Sequence, residues 1–186
     1  MGTIGIIGAM EVEVKELKEQ MQITRQLTKA GMEFCEGILE GQDVVVVRSG
    51  VGKVNAAVCT QILIDVFDVK AVINTGIAGS LKAEINIGDL VISSDLVHHD
   101  MDAVSFGYPK GQIPQMDVFS FEADKALADL AEKVCEEVNP EIQVFHGRVV
   151  SGDHRRQRNQ REHFDTFRRI LYRDGRCCDR TDCTLK

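Results

Sequence analysis

The sequence has no apolar run approaching the ~20 residues that a membrane-spanning helix requires; one of its longest is the valine run that ends at Val47. Ile4 to Ile7 is too short for a signal-peptide core and an acidic stretch follows it. A cytoplasmic protein with no membrane partner is expected. Positive charge is also scarce in most of the chain. Residues 1–153 hold 12 Lys and Arg against 24 Asp and Glu, within an overall net charge of −7. An acidic body of this kind argues against nucleic acid as the main partner. Zinc-knuckle spacing is missing as well. Cys35, Cys59 and Cys135 stand alone among apolar or helical neighbours and read as small buried or half-buried hydrophobes. Cys177, Cys178 and Cys183, with His154 and His163, match no usual pair of ligand knuckles, so no metal is expected.

What is present suits an α/β domain: 186 residues, 44% hydrophobic and 27% charged. Thr3–Ile7 reads as a strand and Glu11–Gln20 as a helix, with Val14, Leu17 and Met21 on one face. Strands follow at Phe34–Leu39 and Asp43–Ser49, joined by a turn at Gly41-Gln42. A helix runs from Val54 to about Phe67, then strands at Ala71–Asn74 and Asp89–Ser94. Ala123–Val138 reads as a helix with Leu127, Leu130, Ala131 and Val134 inward, and Gln143–Val150 as a strand. Alternating strands and helices with antiparallel insertions predict a three-layer α/β fold, a mixed twisted sheet with helices on both faces. Ligands bind such sheets beyond the carboxyl ends of the strands, where the turns at Gly8, Gly76 and Gly152 fall.

Several short segments carry potential chemistry, each with a plainer alternative. In Gly8-Ala9-Met10-Glu11-Val12-Glu13 a sharp turn opens a helix, and a first-turn carboxylate there suits holding a water. It equally suits a solvated glutamate that complements the helix dipole. Ser49-Gly50-Val51-Gly52-Lys53 lacks full phosphate-loop spacing and reads more simply as a strand–helix turn. Asn74-Thr75-Gly76-Ile77-Ala78-Gly79 admits close backbone approach to a ligand, or is a tight structural turn. His98-His99-Asp100-Met101-Asp102 is dense in potential ligands, but adjacent residues rarely share one ion. The same loop carries Phe106 and Tyr108, which suit an apolar or stacking wall.

Together these segments resemble the methylthioadenosine/S-adenosylhomocysteine nucleosidases. The resemblance runs through Ile4–Glu11, Ser49–Val54, Asn74–Gly79, Gly88-Asp89, His99–Asp102, Phe106–Tyr108, Gly111-Gln112 and Val150–Asp153. It covers residues 3–153 in family order and spacing. It implies a nucleoside phosphorylase/hydrolase-like fold, incomplete at the C-terminus, and a homodimer in the intact family. It implies hydrolysis of the N-glycosidic bond of methylthioadenosine or S-adenosylhomocysteine, releasing adenine, with no cofactor. Glu13 matches the family's water-activating glutamate. Met10, Ile77, Ala78 and Gly79 match positions around ribose and base; Ala103 and Phe106 match the lining of an alkylthio pocket of the neighbouring subunit. Ile77 stands where some relatives carry serine. Two other readings stay open: a non-catalytic nucleoside-binding or dimerising remnant, and a purine nucleoside phosphorylase, which would need a phosphate site.

The resemblance divides the chain into a partial nucleosidase domain, 1–153, and an aberrant tail, 154–186. Nine of the 12 arginines lie in that tail. Where the family continues Ser-Gly-Asp with Phe-Ile, this chain has His154-Arg155, and the family's ribose-binding Met-Glu and adenine-protonating Asp are not found. Arg169–Cys178 back-translates so that a one-base shift yields Gly-Tyr-Cys-Thr-Glu-Met-Glu-Gly-Ala, the family's ribose stretch. An out-of-frame tail from about codon 154 is therefore expected, disordered or poorly packed, together with a weakly active or inactive chain. The alternative is a genuine Arg/Cys-rich appendage for RNA or zinc.

Overall fold

The computed structural model of this chain describes residues 2–80 and 82–151. The expected turn at Gly152 and the expectations for 154–186 lie outside the described residues. The elements are β1 (Ile4–Gly8), α1 (Glu11–Gln20), β2 (Gln22–Lys29), β3 (Met32–Leu39), β4 (Gln42–Arg48), α2 (Lys53–Phe67) and β5 (Ala71–Asn74). Then come β6 (Leu90–His98), a 3-10 turn (Val104–Phe106), β7 (Phe121–Glu122), α3 (Lys125–Val138) and β8 (Val144–Ser151). The expected α/β class holds, with the strands divided between two sheets, and the chain forms two compact units that part between Ile77 and Ala78.

In the first unit the strand order is β2-β3-β4-β1-β5. β1 runs parallel to both β4 and β5, while β3 pairs antiparallel with β4 and β2 with β3. Strand periodicity sends alternate residues to opposite faces. Ile7, Val45 and Val47 pack with Phe34, Cys59 and Leu63 on the α2 side. Val44 and Val46 pack with Val14, Met21 and Cys35 on the α1 side. Both faces are covered, which is why four valines occur in succession rather than in alternation with polar residues. Phe34 and Phe67 stack at 5.4 Å between ring centroids. Gly5 lets α2 pack closely against β1, since a Cβ there would lie 2.9 Å from a Leu63 methyl.

Two details differ from expectation. The hairpin between β3 and β4 turns on Glu40-Gly41, at φ +47° and +79°, one residue before the expected Gly41-Gln42. Two positive φ values in succession fit the right-handed strand twist; Ala30-Gly31 does the same between β2 and β3. β2 itself was not foreseen. Among its residues only Leu27 is even half-buried, so no hydrophobic alternation marks it. As the outermost strand of its sheet, β2 is held by backbone pairing to β3.

In the second unit β6 pairs parallel with β8 and antiparallel with β7. β6 extends to His98, four residues beyond the expected end at Ser94. Asp95, the first residue past that end, is buried within the strand, where it meets Arg148 of β8. The register slips at Ser94, so that Asp95 lies opposite Arg148. α3 meets the expectation for Leu127 and Ala131, both half-buried. Leu130 and Val134, also expected inward, stay 48% and 46% exposed. One i,i+4 row of the helix is covered and the neighbouring row overhangs.

Candidate active site

The candidate site of the first unit forms where β4, β1 and β5 end side by side. Their pairing carries past the strand ends: Ser49 N donates to Gly8 O at 2.9 Å and Thr75 N to Ile7 O at 2.8 Å. Three turns thus emerge together at the carboxyl edge of the sheet. The glycine-rich turn at 49–53 is explained by its backbone, since Gly50 and Gly52 hold φ at +84° and +105°. Asn55 closes it by donating to Val51 O at 2.8 Å. That is the plain strand–helix turn.

The turn after β1 presents Glu13. Its carboxylate reaches back over the start of α1, and Met10 N donates to Oε2 at 2.8 Å. Glu13 N in turn donates to Met10 O at 3.1 Å. The side chain thereby satisfies one of the helix's unpaired N-terminal donors. The other oxygen, Oε1, accepts from Ile77 N at 3.2 Å, across 64 residues of sequence. Met10, Glu13 and Ile77, three of the predicted site residues, are therefore brought together. A fixed, half-buried carboxylate at a sheet edge is suited to orienting a water or taking a proton.

The remaining predicted residues belong to the second unit. Ala78 is exposed and Gly79 half-buried. Ala103 is buried, and its carbonyl accepts from Phe106 N at 3.0 Å and Tyr108 N at 3.3 Å. Phe106 projects outward at 81% exposure. The loop folds back on itself through Gly111 N to Met101 O at 2.8 Å. Asp102 is engaged by Val104 N, and His98 and His99 both contact Ser151. Among the described residues no three His, Cys, Asp or Glu side chains are grouped to hold an ion.

A separate polar cavity of about 700 Å³ in the second unit is lined by Ser93, Asp95, Ser120, His146 and Arg148, among others. Sequence reading did not foresee it, because its Asp95–Arg148 pair joins β6 and β8, 53 residues apart. Those charges are largely matched internally. Arg148 Nη2 meets Asp95 Oδ2 at 2.5 Å, and Lys125 meets Asp129 at 2.6 Å. His146 Nε2 lies 3.1 Å from Glu132 Oε1, but off the hydrogen-bonding direction. Burial by itself would raise the Asp95 pKa; Arg148, with the Ser120 and Ser94 hydroxyls, outweighs it and holds the pKa below the ordinary carboxylate value. This is a structural crosslink rather than a second reactive centre.

Comparison with known proteins gives this geometry its context. A family model of the phosphorylase superfamily matches residues 3–175, a span that runs beyond Asp153. The 5'-methylthioadenosine/S-adenosylhomocysteine nucleosidase of Bacillus cereus (strain B4264) is 45% identical over 150 residues, covering 81% of this chain. The chain spans 64% of that relative's length. The nucleosidase of Colwellia psychrerythraea 34H, solved in complex with adenine, superposes with a TM-score of 0.82 at 37% identity, covering 99% of this chain and 72% of that one. A futalosine hydrolase mutant of Helicobacter pylori superposes equally well, TM-score 0.82, at 28% identity over 97% of this chain and 79% of its own. The chain belongs to the phosphorylase superfamily and, within it, to the methylthioadenosine/S-adenosylhomocysteine nucleosidase family.

Proposed function

We propose that the chain is a nucleoside N-glycosyl hydrolase acting on 5'-methylthioadenosine and S-adenosylhomocysteine. The observation that carries this reading is the Glu13 carboxylate, fixed by Met10 N and Ile77 N at the sheet edge. Cleaving the N-glycosidic bond builds positive charge on the ribose and negative charge on adenine. A carboxylate that holds a water under the sugar carbon stabilises the first and directs the attack. The reading places Met10 and Ile77–Gly79 around ribose and base, and Ala103 and Phe106 in an alkylthio pocket. The outward projection of Phe106 suits a pocket completed by a second copy.

A homodimer belongs to the same proposal. α2 is apolar on nearly every side, yet Val54 is 78% exposed and Ile64 49%. Exposed apolar side chains on a helix of this composition support a contact face there. Sedimentation should give twice the chain mass, and Val54→Glu should return the monomer; a wild-type monomer at tens of micromolar would remove the dimer. A cytoplasmic location is proposed alongside it, and no described helix is long and apolar enough to cross a membrane.

Turnover by these 186 residues is proposed to be slow, because His154-Arg155 stand where the family continues Ser-Gly-Asp with Phe-Ile. Chromatographic assay of adenine release tests the whole reading. Methylthioadenosine should be cleaved slowly, independently of phosphate, and faster than futalosine; Glu13→Gln should lower the rate a further ~100-fold. Release that requires phosphate would instead make the chain a phosphorylase. Binding of methylthioadenosine by calorimetry, with no release, would make it a nucleoside-binding remnant.

A further inference from the structure

The arrangement around Glu13 assigns work to two residues that touch no reacting atom. Gly8, the last residue of β1, lies beneath the Glu13 side chain. A Cβ built on Gly8 would sit 2.6 Å from Val14 Cγ1, 3.0 Å from Glu13 Cβ and 3.5 Å from Glu13 Oε2. The first of these is closer than real side chains approach, so any residue other than glycine must displace the fully buried Val14 side chain and press on Glu13 beside it. On the other side Ile77 grips Oε1 with its main-chain N–H while its own side chain stays 68% exposed. Burial of that side chain therefore does little to set the position of residue 77. The hydrogen bond to Glu13 and the continuation of β5 through Thr75 N to Ile7 O at 2.8 Å hold it instead.

We propose that Gly8 and the main-chain N–H of Ile77 are positioning groups that fix the Glu13 carboxylate between the ends of β1 and β5. The proposal rests on the nucleosidase reading for its catalytic consequence, though not for its geometry. A carboxylate oxygen accepts two hydrogen bonds, so one N–H on each oxygen is compatible with each also receiving a water. The two donors, on Oε1 and Oε2, set the plane of the group and its reach from α1. Glu13 is thus aimed before substrate arrives, and no reorganisation is needed as charge develops. The holding atom at position 77 is a backbone nitrogen, which every residue except proline supplies.

The test has one arm that needs no turnover. In the full chain, the amide resonances of Met10 and Ile77 are followed by NMR as the pH is lowered until Glu13 protonates. Both should shift in one common step, and that step should vanish from both in Glu13→Gln. An Ile77 amide that does not sense the titration, or that still does so in Glu13→Gln, overturns the proposal whatever the activity. The second arm measures adenine release from methylthioadenosine. Gly8→Ala should lower kcat by about 100-fold, as expected for an ångström-scale misplacement, with KM within about twofold. A matching rise in KM, or unchanged kcat, overturns the positioning role of Gly8. Coupled amides together with release indifferent to Glu13→Gln would keep the clamp and sink the nucleosidase reading.

Discussion

The two compact units of this chain hold themselves together by different means. In the first, a five-stranded sheet is buried on both faces, and Phe34, Leu63, Val14 and Val45–Val47 are essentially inaccessible. In the second, the described core is small, with Val97 and Val150 buried against Phe119. There a largely buried Asp95–Arg148 pair, bidentate through Nε to Oδ1 at 3.0 Å and Nη2 to Oδ2 at 2.5 Å, ties β6 to β8, and the Arg148 guanidinium lies over Phe119. Apolar burial stabilises in proportion to area and is indifferent to pH. An ion pair offsets its own desolvation, and it does so only while both partners are charged. The contrast predicts different failures on mutation and on acidification.

The largest effect should come from the first unit. Phe34→Ala removes a fully buried ring and its stacking partner for Phe67 and should cost about 3–5 kcal/mol, read from the urea midpoint. Next is Arg148→Ala, which strands Asp95 among the Ser94 and Ser120 hydroxyls and should cost about 3 kcal/mol. The double variant Asp95→Asn/Arg148→Met should recover much of that loss; if it is no more stable than Arg148→Ala, the crosslink account fails.

Acid should separate the units further. The folded-state pKa of Asp95 is lowered, so its contribution is complete above the unfolded carboxylate value of ~3.9 and is lost as pH falls through the folded value. Stability measured against pH should therefore fall less steeply in Asp95→Asn than in the wild type below pH ~4. Parallel curves would mean that the pair contributes nothing. Smallest is Gly41→Ala, which places a Cβ on a φ of +79° in the β3–β4 hairpin and should cost about 1 kcal/mol. A chemical contrast accompanies these: burial pushes the Cys59 thiol up to about 12. Peptide mapping after alkylation of the native protein should find Cys59 protected and the half-buried Cys135 modified.

Legibility in the sequence followed the same division. α1 and β5 were readable to the residue, because a 3.6-residue stripe and a short apolar run between turns each have one simple solution. The expected association of Met10, Glu13 and Ile77 is met in the first unit. What the sequence concealed were features defined by a partner. β2 is a strand because β3 pairs with it. β6 continues through Asp95 because Arg148 receives the charge from the next parallel strand. Leu130 and Val134 fit an inward stripe, but the covering surface reaches only the adjacent row of α3. The grip of Ile77 N on Glu13 was invisible for the same reason, since a backbone nitrogen leaves no trace in a residue name.

The glycines of β1 carry a last consequence. Gly5 is crowded by Leu63 of α2, and Gly8 by Val14 and Glu13 of α1. The spacing Gly5-Ile6-Ile7-Gly8 looks like the signature of a ligand loop, yet at Gly5 it records where a helix comes too close for any side chain. A change at Gly5 is therefore felt between β1 and α2, and a change at Gly8 at the carboxylate five residues downstream.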